Sequence, residues 1–402
     1  MRIHWLWYAL QTGIRDGEKL AILERFGSAE DIYSATAADL FRAGLTKAAA
    51  AALQDKNLAR AEKIMEECEE MGIGMVTFGD AQYPSRLKYI ADPPMVLYYK
   101  GKLPDFGQSA VIGVVGTRKA SPYGLQTAKR LGFQIGSCGG MVVSGMAEGI
   151  DAYATRGALL AGGKVLGILG SGVDVVYPVK NRELFADMEQ FGCLMSEYPP
   201  GTPPYKWNFP RRNRIISGMS NGVLVVEAPQ KSGALITARA ALEQGRDVFA
   251  VPGNIDVDTC VGSNALLREG AVAVSHGWDI LSEYVPEYGD ALTLRSIQLP
   301  AEEAKSTLNV AQRPILPVKK PEKKKKPIDN GVKVAYSDKN DKLSGLSDGE
   351  QKLVRQLLNG ERLVDDVIAG ANLPVAQAKA TLTMLEIKGI VKSLPGGRLT
   401  LK

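Results

Sequence analysis

The sequence predicts a doubly wound α/β fold, an extended Rossmann-like sheet with mostly parallel strands, and three observations support this prediction. First, short apolar runs alternate with amphipathic stretches between residues 72 and 290. Second, most of these runs are continuously apolar, as is typical of parallel strands that are covered on both faces. Third, several runs end in glycine-rich turns, where a crossover helix usually begins.

Nine strand candidates follow one another through this part of the chain. They are MVTF, MVLYYKG, AVIGVVG, MVVSG, KVLGILG, GCLMSEYP, GVLVVEA, DVFAVPG and AVAVSH. The spacers between them, such as YGLQTAKRLGFQIGSCG, have the length and periodicity of helices that pack on a sheet. The alternation predicts a core domain over residues 71–290, with helices on both faces of one sheet.

Residues 1–70 predict a separate domain of short helices, of the SAM or helix-hairpin-helix type. Gly27 suits the end of one helix, and Ser28 suits the N-cap of the next, with Asp31 three residues later. Hairpins of this kind either hold a DNA backbone or serve as a packed module. The acidic run EKIMEECEEM that follows favours the packed module.

Residues 291–342 predict a disordered linker rich in lysine and proline. The segment VKKPEKKKKP within it carries six lysines. These lysines form either a solvated spacer or an additional contribution to DNA affinity through counterion release.

Residues 343–402 predict a winged helix-turn-helix domain, because three amphipathic helices precede a hairpin with a Pro-Gly-Gly turn. Gly370 lies in the short turn between the last two helices. The candidate recognition helix carries only two basic residues, Lys379 and Lys388. Both DNA and protein therefore remain open as partners of this domain.

Composition narrows the class of protein. The chain has 402 residues, enough for two or three domains, and a net charge of +5. Its four cysteines form no C-x-x-C pair, and it has two histidines, which disfavours disulfides, metal sites and a Ser-His-Asp triad. No apolar run has the length of a membrane span. We therefore expect a cytoplasmic protein with no metal, no cofactor and no membrane contact.

Glycine turns and basic side chains follow the candidate strands at the ends that share one edge of a parallel sheet. Backbone N–H groups at helix starts favour anions at such an edge, and arginine binds phosphate through two hydrogen bonds. Neither the G-x-G-x-x-G signature nor the P-loop sequence is present, which disfavours NAD and ATP. The sequence thus predicts a polyanion site without catalytic residues, formed by Gly116, Thr117, Arg118, Ser144, Gly145, Lys180, Asn181, Arg211, Arg212, Arg214, Lys231, Ser232 and Gly233.

The segment FPRRNR supplies three of these arginines. Arg211 and Arg214 are three residues apart and would share a helix face at this edge, whereas Arg212 would point elsewhere, toward a carboxylate such as Glu227. Asp151 and Asp174 follow glycine turns and are expected to cap helices rather than to act as an acid/base pair. One or two of the nearby aromatic residues could stack on nucleic-acid bases: Tyr177, Tyr198, Tyr205, Trp207 and Phe209.

Six strings between about residues 80 and 275 resemble the DNA-processing protein A (DprA, also called Smf) family. They are GTRKASPYG, VSGMAEGIDAYAT, GSGVDVVYPVKN, FPRRNRIISGMSNGVLVVEA, SGALITARAALEQGRDVFAVPG and GSNALLREGA. The resemblance implies a non-enzymatic protein of natural transformation that binds and protects single-stranded DNA and loads RecA recombinase. It also implies a homodimer formed through the α/β domain, with Arg118, Lys180, Arg211, Arg212 and Arg214 in the DNA site.

Two alternative functions belong to other classes. LOG-type nucleotide phosphoribohydrolases share the architecture, but they carry a Pro-Gly-Gly-x-Gly-Thr turn followed by a glutamate. The corresponding stretch APQKSGALITARAALE lacks the paired glycines and has Arg239 after Thr237. A winged-helix transcriptional regulator is the second alternative.

Overall fold

The structure is a computed structural model that describes residues 2–14, 17–295, 347–357, 362–371, 373, 375–388, 390–394 and 398–401. The chain divides into two compact units, Met1–Arg313 and Pro314–Lys402. Of the predicted linker, residues 296–342 lie outside the described residues. The boundaries of the three predicted domains and of the linker remain predictions.

Six short helices occupy the first part of the chain. They are α1 (Arg2–Leu10), α2 (Glu18–Phe26), α3 (Ala29–Ser34), α4 (Ala37–Arg42), α5 (Lys47–Gln54) and α6 (Ala59–Glu70). Gly27 ends α2 with a φ of 90°. The Ser28 hydroxyl oxygen accepts a hydrogen bond from the Asp31 backbone N–H at 3.1 Å. The predicted helix end and the predicted N-cap are therefore confirmed.

A nine-stranded sheet forms the centre of the first unit. Its strands are β1 (Gly74–Thr77), β2 (Val96–Gly101), β3 (Val111–Val115), β4 (Met141–Ser144), β5 (Lys164–Leu169), β6 (Cys193–Ser196), β7 (Gly222–Val225), β8 (Asp247–Ala250) and β9 (Val272–Ala273). They lie in the order β1-β2-β6-β5-β4-β3-β7-β8-β9. Strand β2 is antiparallel to β1 and β6, and the other neighbours are parallel. The predicted Rossmann-like, mostly parallel sheet is confirmed.

Helices cover both faces of this sheet. They are α7 (Pro122–Ser137), α8 (Ile150–Leu160), α9 (Arg182–Phe191), α10 (Asn208–Met219), α11 (Gly233–Glu243), α12 (Val261–Arg268), α13 (Gly277–Leu281) and α14 (Val285–Tyr288). Successive side chains of a strand point to opposite faces. Accordingly, Ile112 and Val114 enter one buried cluster, and Val111 and Val115 enter a second cluster on the other face. This explains why the strand sequences are continuously apolar.

The chain order creates a crevice beside β3. From β3 the chain builds β4, β5 and β6 on one side, and it then returns to build β7, β8 and β9 on the other side. The loops that follow β3 and β7 therefore diverge above the carboxyl ends of two neighbouring strands. Such a topological switch point is the usual ligand position in an open α/β sheet.

In its described residues, the second unit has three helices and a small antiparallel sheet. They are α15 (Asp348–Leu357), α16 (Val364–Ala371) and α17 (Val375–Ile387), with β10 (Arg362–Leu363), β11 (Val391–Leu394) and β12 (Arg398–Leu401) in the order β10-β12-β11. Leu353, Val367 and Leu385 are buried together in its core. This is the winged helix-turn-helix arrangement that the sequence predicts, except that Gly370 lies inside α16 and not in the turn after it. Nowhere in the described ranges is there a helix that is long and apolar enough to cross a membrane.

Candidate functional site

A cavity of about 800 Å³ lies at the switch point between β3 and β7, and we call it the pocket. The turn after β3, the turn after β7 and one face of α10 supply most of its walls. Seven of the predicted site residues line it: Gly116, Thr117, Arg118, Arg212, Lys231, Ser232 and Gly233. An adjoining cavity of about 50 Å³, the side pocket, is lined by Gly145 together with Arg118 and Arg212.

The pocket is strongly cationic. Among the described residues, five basic side chains line the pocket, and the one carboxylate that lines it is that of Asp151. The basic residues are Arg118, Lys119, Lys206, Arg212 and Lys231. Positive charge on the walls of a concave, low-dielectric site attracts and concentrates anions.

One face of α10 forms a wall of the pocket. Phe209, Arg212, Asn213 and Ile216 line the pocket, and this i, i+3, i+4, i+7 spacing is that of a single helix face. The Arg212 guanidinium donates a hydrogen bond to the Gly145 carbonyl oxygen at 2.7 Å and another to the Ile168 carbonyl oxygen. Arg212 therefore lines the pocket instead of pointing away from it toward Glu227, and the buried carboxylate that it interacts with is that of Asp151. The reason is that the opposite face of α10 from the predicted one meets the pocket.

Arg211 and Arg214 do share a face of α10, but that face contacts carboxylates instead of the pocket. Arg214 binds Asp92 with an Nε–Oδ2 distance of 3.1 Å and Glu197 with an Nη2–Oε1 distance of 2.6 Å. Arg211 lies 3.6 Å from Asp92 and 3.9 Å from Glu197. Neither arginine is among the residues that line the pocket. Two of the thirteen predicted site residues thus bind carboxylates in the segment before β2 and directly after β6, which connects α10 to both.

Asp151 is buried beside Arg212. Its carboxylate accepts hydrogen bonds from the backbone N–H groups of Gly145 at 3.1 Å and Ala147 at 3.4 Å. Burial raises the pKa of Asp151, while Arg212 and these two N–H groups oppose the increase. Burial likewise lowers the pKa of Arg212, and Asp151 opposes that decrease. The prediction that Asp151 caps a helix is therefore wrong, because its carboxylate binds backbone N–H groups of the turn after β4 instead.

Asp174 does not cap a helix either. Its carboxylate accepts a hydrogen bond from the Gly201 backbone N–H at 2.9 Å, so it fixes the loop that follows β6.

Among the described residues, the Nε atom of Arg212 is buried without a hydrogen-bond partner. This donor lies in a side chain that lines both the pocket and the side pocket.

Three predicted residues support or flank the pocket instead of lining it. The Ser144 hydroxyl is buried and donates to the Val114 carbonyl oxygen at 2.7 Å. The Asn181 amide donates to the carbonyl oxygens of Met146 at 3.0 Å and Ala147 at 3.2 Å, so it holds the turn after β4. Lys180 is exposed and lies 3.4 Å from Glu148.

Hydrogen bonds to Glu227 fix the turn that carries Arg118. The Thr117 backbone N–H donates to the Glu227 carbonyl oxygen at 2.7 Å. The Glu227 carboxylate, which is buried, accepts hydrogen bonds from the hydroxyl groups of Ser121 and Thr259. Arg118 itself lies above the Phe209 ring, 5.6 Å from its centroid, in a cation–π contact. The exposed guanidinium of Arg118 is therefore presented from a rigid turn.

Several pocket residues were not among the thirteen predicted site residues: Lys119, Asp151, Lys206 and Asn213, together with Phe209, which the sequence indicated only as a candidate for base stacking. Helical spacing from Arg212 identifies Phe209 and Asn213 once the phase of α10 is known. Lys206 could have been found in the sequence, because the segment from Tyr198 to Pro210 contains no carboxylate to pair with it.

The fold and the pocket together define a Rossmann-like protein with a cationic cavity at its switch point, followed by a winged-helix domain. The family model described as DNA recombination-mediator protein A matches residues 74–285. The model described as DprA winged helix domain matches residues 337–397. The chain belongs to the DNA-processing protein A (DprA/Smf) family.

Individual relatives agree with this assignment. The chain is 43% identical to DNA processing protein DprA of Bacillus subtilis over 225 residues, which are 56% of this chain and 75% of that protein. It is 33% identical to protein Smf of Synechocystis over 347 residues, 84% of this chain and 82% of that protein. The X-ray structure of DprA from Streptococcus pneumoniae matches with a TM-score of 0.62 and 33% identity, covering 70% of this chain and 98% of that one.

Proposed function

We propose that this chain binds single-stranded DNA in the pocket, without cleaving it. The observation that carries the proposal is the set of five basic side chains that line the switch-point cavity against one carboxylate. Guanidinium groups and helix-start N–H groups are the donors that bind phosphate oxygens in nucleic-acid complexes. Membership of a family named for DNA processing and recombination supports this choice of polyanion.

The concave shape favours a single strand over a duplex. Phe209 lies in the wall of both cavities, and its ring is 5.5 Å from that of Tyr177. An unpaired strand can turn its bases toward aromatic side chains, whereas the bases of a duplex are already paired and stacked. A cavity of about 800 Å³ is large enough to accept a short stretch of single strand.

A competition experiment tests this preference. Fluorescence anisotropy of a labelled oligothymidylate is followed while unlabelled single-stranded or duplex DNA of equal length is added. The single strand should displace the label at a lower concentration than the duplex. Equal displacement by the two competitors contradicts the proposal.

We further propose that the chain acts in natural transformation, in the cytoplasm, as a homodimer that protects incoming strands and loads RecA recombinase. The resemblance of the sequence strings to the family supports this part of the proposal. Adding the protein to RecA and to strands coated with a single-strand-binding protein should accelerate filament formation. Unchanged filament kinetics would reject loading and leave DNA binding intact. Nuclease resistance of the bound strand and sedimentation of the protein test protection and dimer formation separately.

The absence of catalysis is also part of the proposal. In the stretch that corresponds to the LOG turn, Arg239 on α11 stands where a carboxylate would be needed. Incubation with nucleoside monophosphates should therefore release no free base. Detection of a free base by chromatography would support the phosphoribohydrolase alternative instead.

A further inference from the structure

Two aromatic rings stack on each other at the protein surface next to the pocket. The ring centroids of Tyr205 and Trp207 are 4.8 Å apart, with an interplanar angle of 8°. Tyr205 is 44% exposed and Trp207 is 70% exposed. What distinguishes these two exposed side chains is that they stack, which gives one flat aromatic surface of the kind on which nucleobases stack. We call these two residues the aromatic platform.

The platform is continuous with the pocket wall. Along the segment 204–207, Pro204 and Lys206 line the pocket, and the two residues that alternate with them form the platform. Lys206, which lines the pocket, is therefore the direct chain neighbour of both platform residues. The segment from Tyr198 to Pro210 contains no carboxylate, so nothing in it repels a phosphate backbone.

Hydrogen bonds fix the backbone segment that carries the platform. The buried Asn208 side chain donates to the Gly170 carbonyl oxygen at 2.9 Å, directly after β5. The Asn208 backbone N–H donates to the Tyr205 carbonyl oxygen at 3.0 Å, and the Tyr205 N–H donates to the Pro203 carbonyl oxygen at 2.8 Å. A fixed aromatic face loses little conformational entropy when a base stacks on it.

We propose that Tyr205 and Trp207 bind a nucleobase of the strand where it leaves the pocket, by stacking on the outer face of Trp207. This inference rests on the proposed binding of single-stranded DNA and adds a second subsite to it. The pocket binds phosphate, and the platform binds the flat face of any base. Stacking of this kind tolerates sequence, because every base has such a face.

The test compares an oligothymidylate with an abasic strand of the same length and charge, using the full chain and its Trp207→Ala variant. Trp207→Ala should bind oligothymidylate about tenfold more weakly than the unchanged protein. Both proteins should bind the abasic strand with equal affinity. Phe41→Ala is the matched control, because Phe41 is an 84% exposed aromatic residue on α4, outside the pocket wall.

Intrinsic fluorescence gives a second readout. Trp5 and Trp7 are buried and Trp278 is partly buried, so oligothymidylate should quench mainly the exposed Trp207, and the abasic strand should quench little. The quenching should disappear in Trp207→Phe, while that variant retains most of the affinity.

Three results would overturn the inference. If Trp207→Ala binds both strands like the unchanged protein, the platform serves another partner, such as a protein. If the variant loses equal affinity for both strands, the loss comes from phosphate contacts or misfolding and not from stacking. If the unchanged protein binds neither strand, the proposed function fails as well, which separates the two failures.

Discussion

Arg212 and Arg214 are two residues apart on α10, yet their guanidinium groups lie on nearly opposite sides of the helix. Arg212 lines the pocket, and Arg214 binds Asp92 and Glu197. An α-helix has 3.6 residues per turn, so two residues correspond to rather more than half a turn. The two arginines should therefore respond to substitution in different ways, one through ligand binding and the other through stability.

Arg214→Ala should destabilise the protein without a specific effect on DNA. The side chains of Arg214 and Glu197 are 15% and 17% exposed, so removing the cation leaves two mostly buried carboxylates without their main partner. Breaking such a pair costs about 3 kcal/mol. Urea unfolding should show this loss, while the salt dependence of DNA binding stays unchanged for the folded fraction.

Arg211→Ala is the matched control for that variant. Its side chain is 44% exposed and lies farther from the same carboxylates, at 3.6 Å and 3.9 Å. We expect a loss of less than about 1 kcal/mol, as for other solvent-exposed ion pairs. A reduced salt slope in either variant would place that arginine on the DNA, as the sequence had suggested.

Arg118→Ala should weaken DNA binding and leave stability nearly unchanged. Arg118 is exposed above Phe209 on the turn after β3, and the nearby buried Asp151 keeps its hydrogen bonds from the Gly145 and Ala147 N–H groups when Arg118 is removed. Loss of one phosphate contact to a single strand should reduce the magnitude of the salt slope by about 0.7. Anisotropy titrations at several salt concentrations measure this slope. Arg42→Ala, on the exposed surface of α4, should have no effect, and an equal effect there would indicate nonspecific charge.

The sheet could be predicted from the sequence because its signals are local. Continuous apolar runs and capping residues such as Ser28 depend on near neighbours, and all nine predicted strands occur in the sheet. The turns after β3 and β7 were also predictable as pocket walls. Strand ends in a parallel sheet share one edge whatever the details of packing.

The arginines of α10 could not be assigned from sequence in the same way. Spacing predicts which side chains share a helix face, but it does not predict which face meets the pocket. The rotation of α10 about its axis is set by tertiary contacts: Phe209 packs against Tyr177 on one side of the helix, and Arg214 binds Asp92 on the other. Long-range pairs such as Arg214 with Asp92 leave no local pattern in the sequence.

Gly145→Ala should damage the pocket, whereas Gly233→Ala should not. A Cβ atom at Gly145 would lie 2.6 Å from the Arg212 guanidinium nitrogens and 2.7 Å from Asp151 Oδ2. The methyl group must displace this buried pair, at a cost of about 1–3 kcal/mol. We expect lower stability and weaker DNA binding in the same variant.

Gly233→Ala is the matched control for Gly145→Ala, because Gly233 lines the same pocket as the first residue of α11. A Cβ atom there would meet nothing within 4 Å. Thermal unfolding and oligothymidylate titration of both variants measure the contrast. Equal losses in the two variants would show that close packing around Gly145 does not hold Arg212 in place.

Asp151→Asn should change the pH dependence of stability. Burial raises the pKa of Asp151 in the folded protein above its value in the unfolded chain, which is about 3.9. The carboxyl group therefore contributes stability that is fully present below the unfolded pKa and is lost as the pH rises through the folded pKa. Asparagine does not titrate, so it removes this decline.

The free energy of unfolding of the variant, minus that of the unchanged protein, should accordingly increase as the pH rises from about 4 through the folded pKa. For a single proton the change cannot exceed about 1.4 kcal/mol per pH unit. Urea unfolding at a series of pH values measures the difference. A difference that decreases over this range would mean that Arg212 and the Gly145 and Ala147 N–H groups outweigh burial. The folded protein would then lower the pKa of Asp151 and stabilise its charged form.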